Sequence, residues 1–141
     1  MKDIFLKNLL LICLFSPFIL RGQSSTKNLP IMNFDKKIHD FGTIKTGETP
    51  STVFNFTNTG DIPLDIDMIS GCDCTEFDWT RTSVGVGEKG FVSVKYNSKK
   101  AEDEDHKKPL VKYVEVILKQ KHPANGYVIV ESLKFTVFIA D

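Results

Sequence analysis

The sequence predicts an all-β fold, a two-sheet sandwich of about seven short strands. Three observations predict it. Apolar residues recur at every second position in run after run, the period of a strand with one buried face. Valine, isoleucine, phenylalanine and tyrosine fill these runs, and they suit a pleated, half-buried surface. Stretches rich in glycine, proline and asparagine separate the runs, while no apolar stripe at helical spacing competes with them.

The first element is a leader. Lys2 and Lys7 precede an apolar run from Leu9 to Leu20, interrupted by Ser16 and Pro17. A bilayer-spanning helix needs about 20 apolar residues, so a basic flank with this short core describes an export signal. Residues 1–22 are read as that signal, cut after Gly22 to leave Gln23 first; an uncleaved anchor is the alternative. Cys13 follows Ile12 inside the apolar run, which does not suit a lipoprotein signal. Residues 23–30 (QSSTKNLP) are polar, end in proline and read as a linker. The sandwich domain is assigned to residues 31–141.

Within the domain, TVFNFTN places Phe54 and Phe56 on one face and Asn55 and Thr57 on the other. IPLDIDMIS places Leu64, Ile66 and Met68 opposite Asp65 and Asp67. FVSVKYN aligns Val92, Val94 and Tyr96, KYVEVILK aligns Val114, Val116 and Leu118, and the last run aligns Leu133, Phe135, Val137 and Ile139. Asn58-Thr59-Gly60-Asp61 reads as a hairpin connection between the first two runs. Gly85, Gly87 and Gly90 lead into the third, and His122 to Gly126 forms a turn before the last. The two inner faces are expected to bury each other while the outer faces stay wet. A closed barrel is the alternative architecture.

Without residues 1–22 the chain keeps 15 of its 18 basic and 17 of its 18 acidic residues, a net charge of −2. No basic stripe remains, so nucleic acid is excluded as an expected partner. Lys99 to Pro109 (KKAEDEDHKKP) concentrates charge in a basic–acidic–basic order, the composition of a solvated loop. Its contiguous acids lack the alternating spacing and turn glycine of a helix–loop–helix calcium site. The sequence has no serine–histidine–acid elbow, phosphate-cradling glycine loop or two-histidine metal motif. The chain is therefore expected not to be an enzyme.

The candidate site is GCDCTEFDW, Gly71 to Trp79, with thiols at Cys72 and Cys74. On an extended strand residues i and i+2 lie about 6.6 Å apart, beyond the reach of a disulfide, which needs β-carbons roughly 3.5–4.5 Å apart. A Cys72–Cys74 bond therefore demands a bend, which Gly71 and Asp73 suit. Its chain-entropy contribution is on the order of 1.5 kcal/mol before strain, so it would be a poor staple and a reasonable redox switch. Two thiolates on one face could instead chelate copper(I) or zinc, although closed zinc sites want four ligands at wider spacing. His39, His106 and His122 are the further donors available. Plain packing of two small residues in a turn is the third reading. Asp73, Glu76 and Asp78 disfavour a thiolate nearby, which argues against an activated nucleophile. Trp79 is expected at the core or its rim, and His39 at the surface or a sheet edge.

Four pieces of this chain together resemble a known family: Phe41-Gly42, the turn from Asn58 to Asp61, the Cys-x-Cys-Thr of Cys72 to Thr75, and the Gly-Glu-Lys-Gly of Gly87 to Gly90. They resemble the exported, immunoglobulin-like bacterial family called domain of unknown function 1573, common in Bacteroidetes, best over about residues 34–98. The family's usual glycine between the cysteines is Asp73 here, and aspartate enters left-handed conformations less freely. The resemblance extends to other bacterial, ciliary and sperm-protein-like sandwiches. It implies an immunoglobulin-like fold outside the inner membrane, in the periplasm or cell envelope, and supplies no activity, the family's role being unassigned. Sheet edges and loops open to other chains, with no catalytic motif, make a non-catalytic binding or scaffold module toward a protein or envelope component the expected function. The membrane is then met only through the export signal. The alternative function is a thiol-redox or soft-metal protein using Cys72 and Cys74. No cofactor is expected on the first reading, and copper or zinc on the second.

Overall fold

The computed structural model describes residues 28–101 and 108–140. The proposed leader, its cleavage point, residues 23–27 of the linker, and residues 102–107 of the charged stretch with His106 lie outside the described residues.

Eight strands form: β1 (Met32–Phe34), β2 (Ile38–Lys45), β3 (Ser51–Asn58), β4 (Ile66–Ser70), β5 (Thr75–Trp79), β6 (Lys89–Tyr96), β7 (Leu110–Lys121) and β8 (Val128–Ala140), with a short 3-10 helix at Ser98–Ala101. They make two four-stranded sheets, ordered β1-β3-β6-β5 and β2-β8-β7-β4. The fold is thus an all-β, immunoglobulin-like sandwich and not a barrel. The strands without an obvious alternating run are β1, β2 and β5.

The alternating residues meet between the sheets. Phe54, Phe56, Val92, Val94 and Tyr96 of the first sheet face Val114, Val116, Leu118, Leu133, Phe135, Val137 and Ile139 of the second, all almost fully buried. Burying each such side chain contributes about 1.5–3 kcal/mol. The Tyr96 and Phe135 rings meet across the interface at 5.5 Å, edge to face, and Phe41 of β2 packs on Phe135 at 5.3 Å.

The chain changes sheets at most of its connections. Only β5–β6 and β7–β8 are sequential antiparallel neighbours, whereas β2 pairs with β8 in parallel. The segment from Asn58 to Asp61 is therefore not a hairpin turn: β3 and β4 belong to different sheets. Both strands must aim an apolar face at the same core, which a crossover between facing sheets achieves. The turn at His122 to Gly126 does close a hairpin. His122 N–H donates to Tyr127 O at 2.7 Å, and Gly126 has a φ of 72°.

Strict alternation fails in β4. Ile66 pairs with Leu118 but Met68 pairs with Ile117, so Asp67 is an extra residue, a β-bulge. Beyond it the faces exchange: Met68 points outward and Ile69 is buried. The bulge places Ile69 opposite Val116 in the core, where an unbroken strand would have placed Met68.

Candidate functional site

Three of the four family-like motifs lock the fold. Asn58, fully buried, donates from Nδ2 to Ile62 O (2.8 Å) and Val84 O (3.0 Å), while its Oδ1 accepts from Gly60 N–H at 3.0 Å. The Asp61 carboxylate accepts from the N–H groups of Asn28 and Leu29 at 2.9 and 2.8 Å, and Pro30 is buried. Residues 28–30, placed in the linker by composition, are thus tied to the domain. Glu88 closes the turn before β6, accepting from Gly85 N–H at 2.8 Å. Gly90 lies against the Phe56 ring, where a β-carbon would collide. Phe41, partly buried, packs against the core, and Gly42 (φ 67°) carries a bulge between Asp40 and Thr43.

The fourth motif, at Cys72 and Cys74, lies in the crossover from β4 to β5. The two sulfurs are bonded to each other, with Cα atoms 5.1 Å apart, shorter than the extended spacing because the chain bends here. Thr75 closes the bend twice, its N–H donating to Cys72 O at 3.0 Å and its hydroxyl to the same oxygen at 2.7 Å. Asn97 N–H caps Cys74 O at 2.8 Å. Neither Asp73 nor Cys74 has a positive φ, so the turn uses right-handed backbone that aspartate adopts readily. Gly71 is needed for another reason: a β-carbon there would lie 2.5 Å from the Phe77 ring. The two sulfurs differ in setting. Cys74 is 4 % exposed and part of the core, whereas Cys72 is half-buried at its edge.

The acids and aromatics around this turn are engaged. Glu76 lies 3.5 Å from Lys95 and Asp78 lies 3.6 Å from Arg81. The Arg81 guanidinium stacks 3.4 Å above the Trp79 ring at the rim of the core. His39 lies on β2, at an edge of the second sheet and away from this crossover in the strand order. Its Nδ1 accepts from Lys36 Nζ at 3.2 Å, and burial, then the Lys36 charge, pushes its pKa down. His122 caps its own turn through Ala124 N–H at 3.3 Å. Among the described residues no group of three or more metal-ligating side chains converges. Bonded sulfurs offer no thiolate to copper or zinc, so metal chemistry at Cys72 and Cys74 would require the reduced pair.

A second feature was not anticipated from sequence. The outer face of the second sheet carries Ile38, Met68, Val111, Tyr113, Val128 and Val130, all exposed, with Tyr113 at 61 % and Ile38 at 59 %. Register brings them together: Met68, Ile117 and Val130 form one row across β4, β7 and β8, and Tyr113, Lys134 and Ile38 another across β7, β8 and β2. Among the described residues, the outer face of the first sheet presents Val53 and Phe91 in this way. The available signal was β7 itself, which is apolar at both parities through Val111, Tyr113 and Ile117, a pattern for a strand covered on both sides.

Beside this face, an open depression of about 470 Å³ is lined by Asp40, Gly42, Thr43, Pro109, Thr136, Val137 and Phe138. The Asp40 carboxylate accepts from Gly42 N–H at 2.9 Å and the Thr136 hydroxyl at 2.7 Å. These bonds, Gly42 first, hold its pKa below the ordinary value.

A family model described as "Protein of unknown function (DUF1573)" matches residues 32–127. No curated protein matches the chain. Among solved structures, a protein of unknown function from Porphyromonas gingivalis W83 aligns with a TM-score of 0.61 at 17 % identity, covering 77 % of this chain and 46 % of that one. The VesB protease of Vibrio cholerae aligns at 0.55 and 16 % identity, over 76 % of this chain and 31 % of that one. The ASH/PapD-like domain 7 of human CEP192 aligns at 0.55 and 11 % identity, over 78 % and 85 %. This chain spans less than half of the first two. At these identities the likeness concerns the fold.

Proposed function

Because the chain belongs to the DUF1573 family of proteins of unknown function, we propose from its own surface that it is a non-catalytic binding module of the bacterial cell envelope. The outer face of its second sheet docks another protein. One observation carries this reading: the apolar and aromatic residues left exposed on that face, a Met68–Ile117–Val130 row across β4, β7 and β8, with Tyr113 and Ile38 on either side of Lys134 beyond a polar row of Ser70, Glu115 and Ser132. A solvated sheet face alternates with polar residues, and a large exposed apolar patch marks an interaction site. Lys134 lies within the face, and Lys119 and Lys121 continue its β7 row. Glu115 is the nearby acid, since Asp40 is held by Gly42 and Thr136. The matching partner is a protein surface with an apolar centre and carboxylates at its rim. Export is supported by the basic, short-cored leader and by a disulfide, which persists in oxidising compartments.

The test places a photo-crosslinking residue at Tyr113 and, as control, at Ser93 on the outer face of the first sheet, in the native host. A discrete protein adduct is expected at position 113, lost when Met68→Lys and Val130→Lys are added. Equal adducts at both positions, or none at 113, refute the reading. Intact mass of the mature chain is expected to begin at Gln23.

A further inference from the structure

We propose that Cys72–Cys74 is a thiol–disulfide exchange site that opens and closes on the folded domain, reacting with a dithiol. Cys72 is the sulfur attacked, and Cys74 is the sulfur released. The inference is independent of the docking face.

Three features of the crossover carry it. First, the bond holds together nothing that is not already held. It closes a loop between residues only two apart, the shortest class of loop and the least able to restrain an unfolded chain. The bend is kept by Thr75, through both its N–H and its hydroxyl on Cys72 O, and by Asn97 N–H on Cys74 O. None of these bonds involves sulfur, so the turn survives reduction.

Second, the two sulfurs are inequivalent. Thiol–disulfide exchange needs access along the line of the sulfur–sulfur bond. Cys72, half-buried at the core edge, offers that access; Cys74, 4 % exposed, does not. An incoming thiolate therefore bonds to Cys72 Sγ. The sulfur–sulfur bond breaks, and its electron pair goes to Cys74 Sγ, which takes up a proton. The second thiol of the dithiol loses its proton and attacks its own sulfur in the mixed disulfide, and Cys72 leaves as a thiolate that is then protonated. In total the protein pair gains two electrons and two protons, and the dithiol becomes a cyclic disulfide. The same steps in reverse re-form the protein bond.

Third, the reduced state has a place prepared for it. Cys72 Sγ lies 3.9 Å from Thr75 Oγ1. That hydroxyl already gives its hydrogen to Cys72 O, so its lone pair faces a new S–H donor. Cys74, as a thiol, is a small apolar group inside an apolar cluster. Bonded and reduced forms thus share one backbone.

The experiment uses the mature chain in its oxidised form. Dithiothreitol is titrated in native buffer, the products are trapped with N-ethylmaleimide and weighed intact, and circular dichroism is recorded in parallel. Complete addition of two maleimides is expected with the β-sheet spectrum unchanged. Reduction that proceeds only as the spectrum is lost would overturn the proposal. The single variants Cys74→Ser and Cys72→Ser then report the order of attack. The thiol left at Cys72 is expected to exchange with an aromatic disulfide at least about tenfold faster than the thiol left at Cys74. Equal rates, or the opposite order, would overturn the assignment of Cys72 as the sulfur attacked. Should either serine variant fail to fold, native reduction of the unaltered chain still decides whether the site opens on the folded domain.

Discussion

Asn58→Ala removes a fully buried side chain that makes four hydrogen bonds. Its amide gives two hydrogen bonds, to Ile62 O and Val84 O, and its oxygen accepts from Gly60 N–H at 3.0 Å and Ile31 N–H at 3.4 Å. Val84 O keeps a second partner, Leu64 N–H at 2.9 Å, so it is not orphaned. Ile62 O, Gly60 N–H and, at its longer distance, Ile31 N–H lose the side-chain partner, at up to about 1–3 kcal/mol each. All three lie near the surface, where water recovers part of this, and the expected loss is about 3 kcal/mol. That is a large share of the roughly 5–15 kcal/mol that holds a domain together, and it lowers Tm by about 12 °C at this size. Urea unfolding followed by Trp79 fluorescence and circular dichroism measures it. Asn55→Ala, on the exposed face of the same strand, is the control and should change stability by no more than about 0.5 kcal/mol. If Asn58→Ala costs less than about 1 kcal/mol, the crossover from β3 to β4 is not held by this side chain and the reasoning fails.

Gly90→Ala forces a β-carbon into the ring of Phe56, itself buried and walled in by the core. It should cost about 1–3 kcal/mol in the same unfolding assay, and a neutral result would place that ring elsewhere. Acid should weaken the domain in two steps. His39 has its folded pKa below the ordinary 6.5, by burial first and Lys36 second; its neutral form is favoured in the fold. That contribution is complete above pH 6.5 and lost as pH falls through the folded value. Asp40 has its folded pKa below the ordinary 3.8, so its contribution is complete above that pH and lost below it. Urea midpoints measured against pH should lose the first step in His39→Gln and the second in Asp40→Asn; profiles unchanged by either substitution would contradict these assignments.

Much of the core was legible because burial on one face writes a period of two into the chain. Phe54, Phe56, Val92, Val94, Tyr96, Val114, Val116, Leu118 and Leu133 to Ile139 occupy the positions that alternation assigns them. Met68 was misplaced because a bulge inserts a residue, and nothing in IPLDIDMIS marks where the partner strand will tolerate one. Strands β1, β2 and β5 escaped notice for a related reason. They are edge strands, only partly buried, and their alternation is diluted by polar residues on both faces. At the candidate site the sequence showed that two sulfurs could meet only across a bend. Which sulfur faces the core, and which hydrogen bonds hold the bend, depended on Asn97 and Phe77 arriving from elsewhere in the first sheet's part of the chain.

Local chemistry was thus sufficient for the fold class, the burial of most alternating residues and the presence of turns at the glycine-bearing motifs, because each rests on neighbours a few positions away. Sheet membership, the parallel pairing of β2 with β8, the inequivalence of Cys72 and Cys74, and the assembly of Ile38, Met68, Tyr113 and Val130 into one face rest on pairs far apart in the chain. Those pairings are selected by all the strands together as they close one core, so only the folded arrangement could decide them.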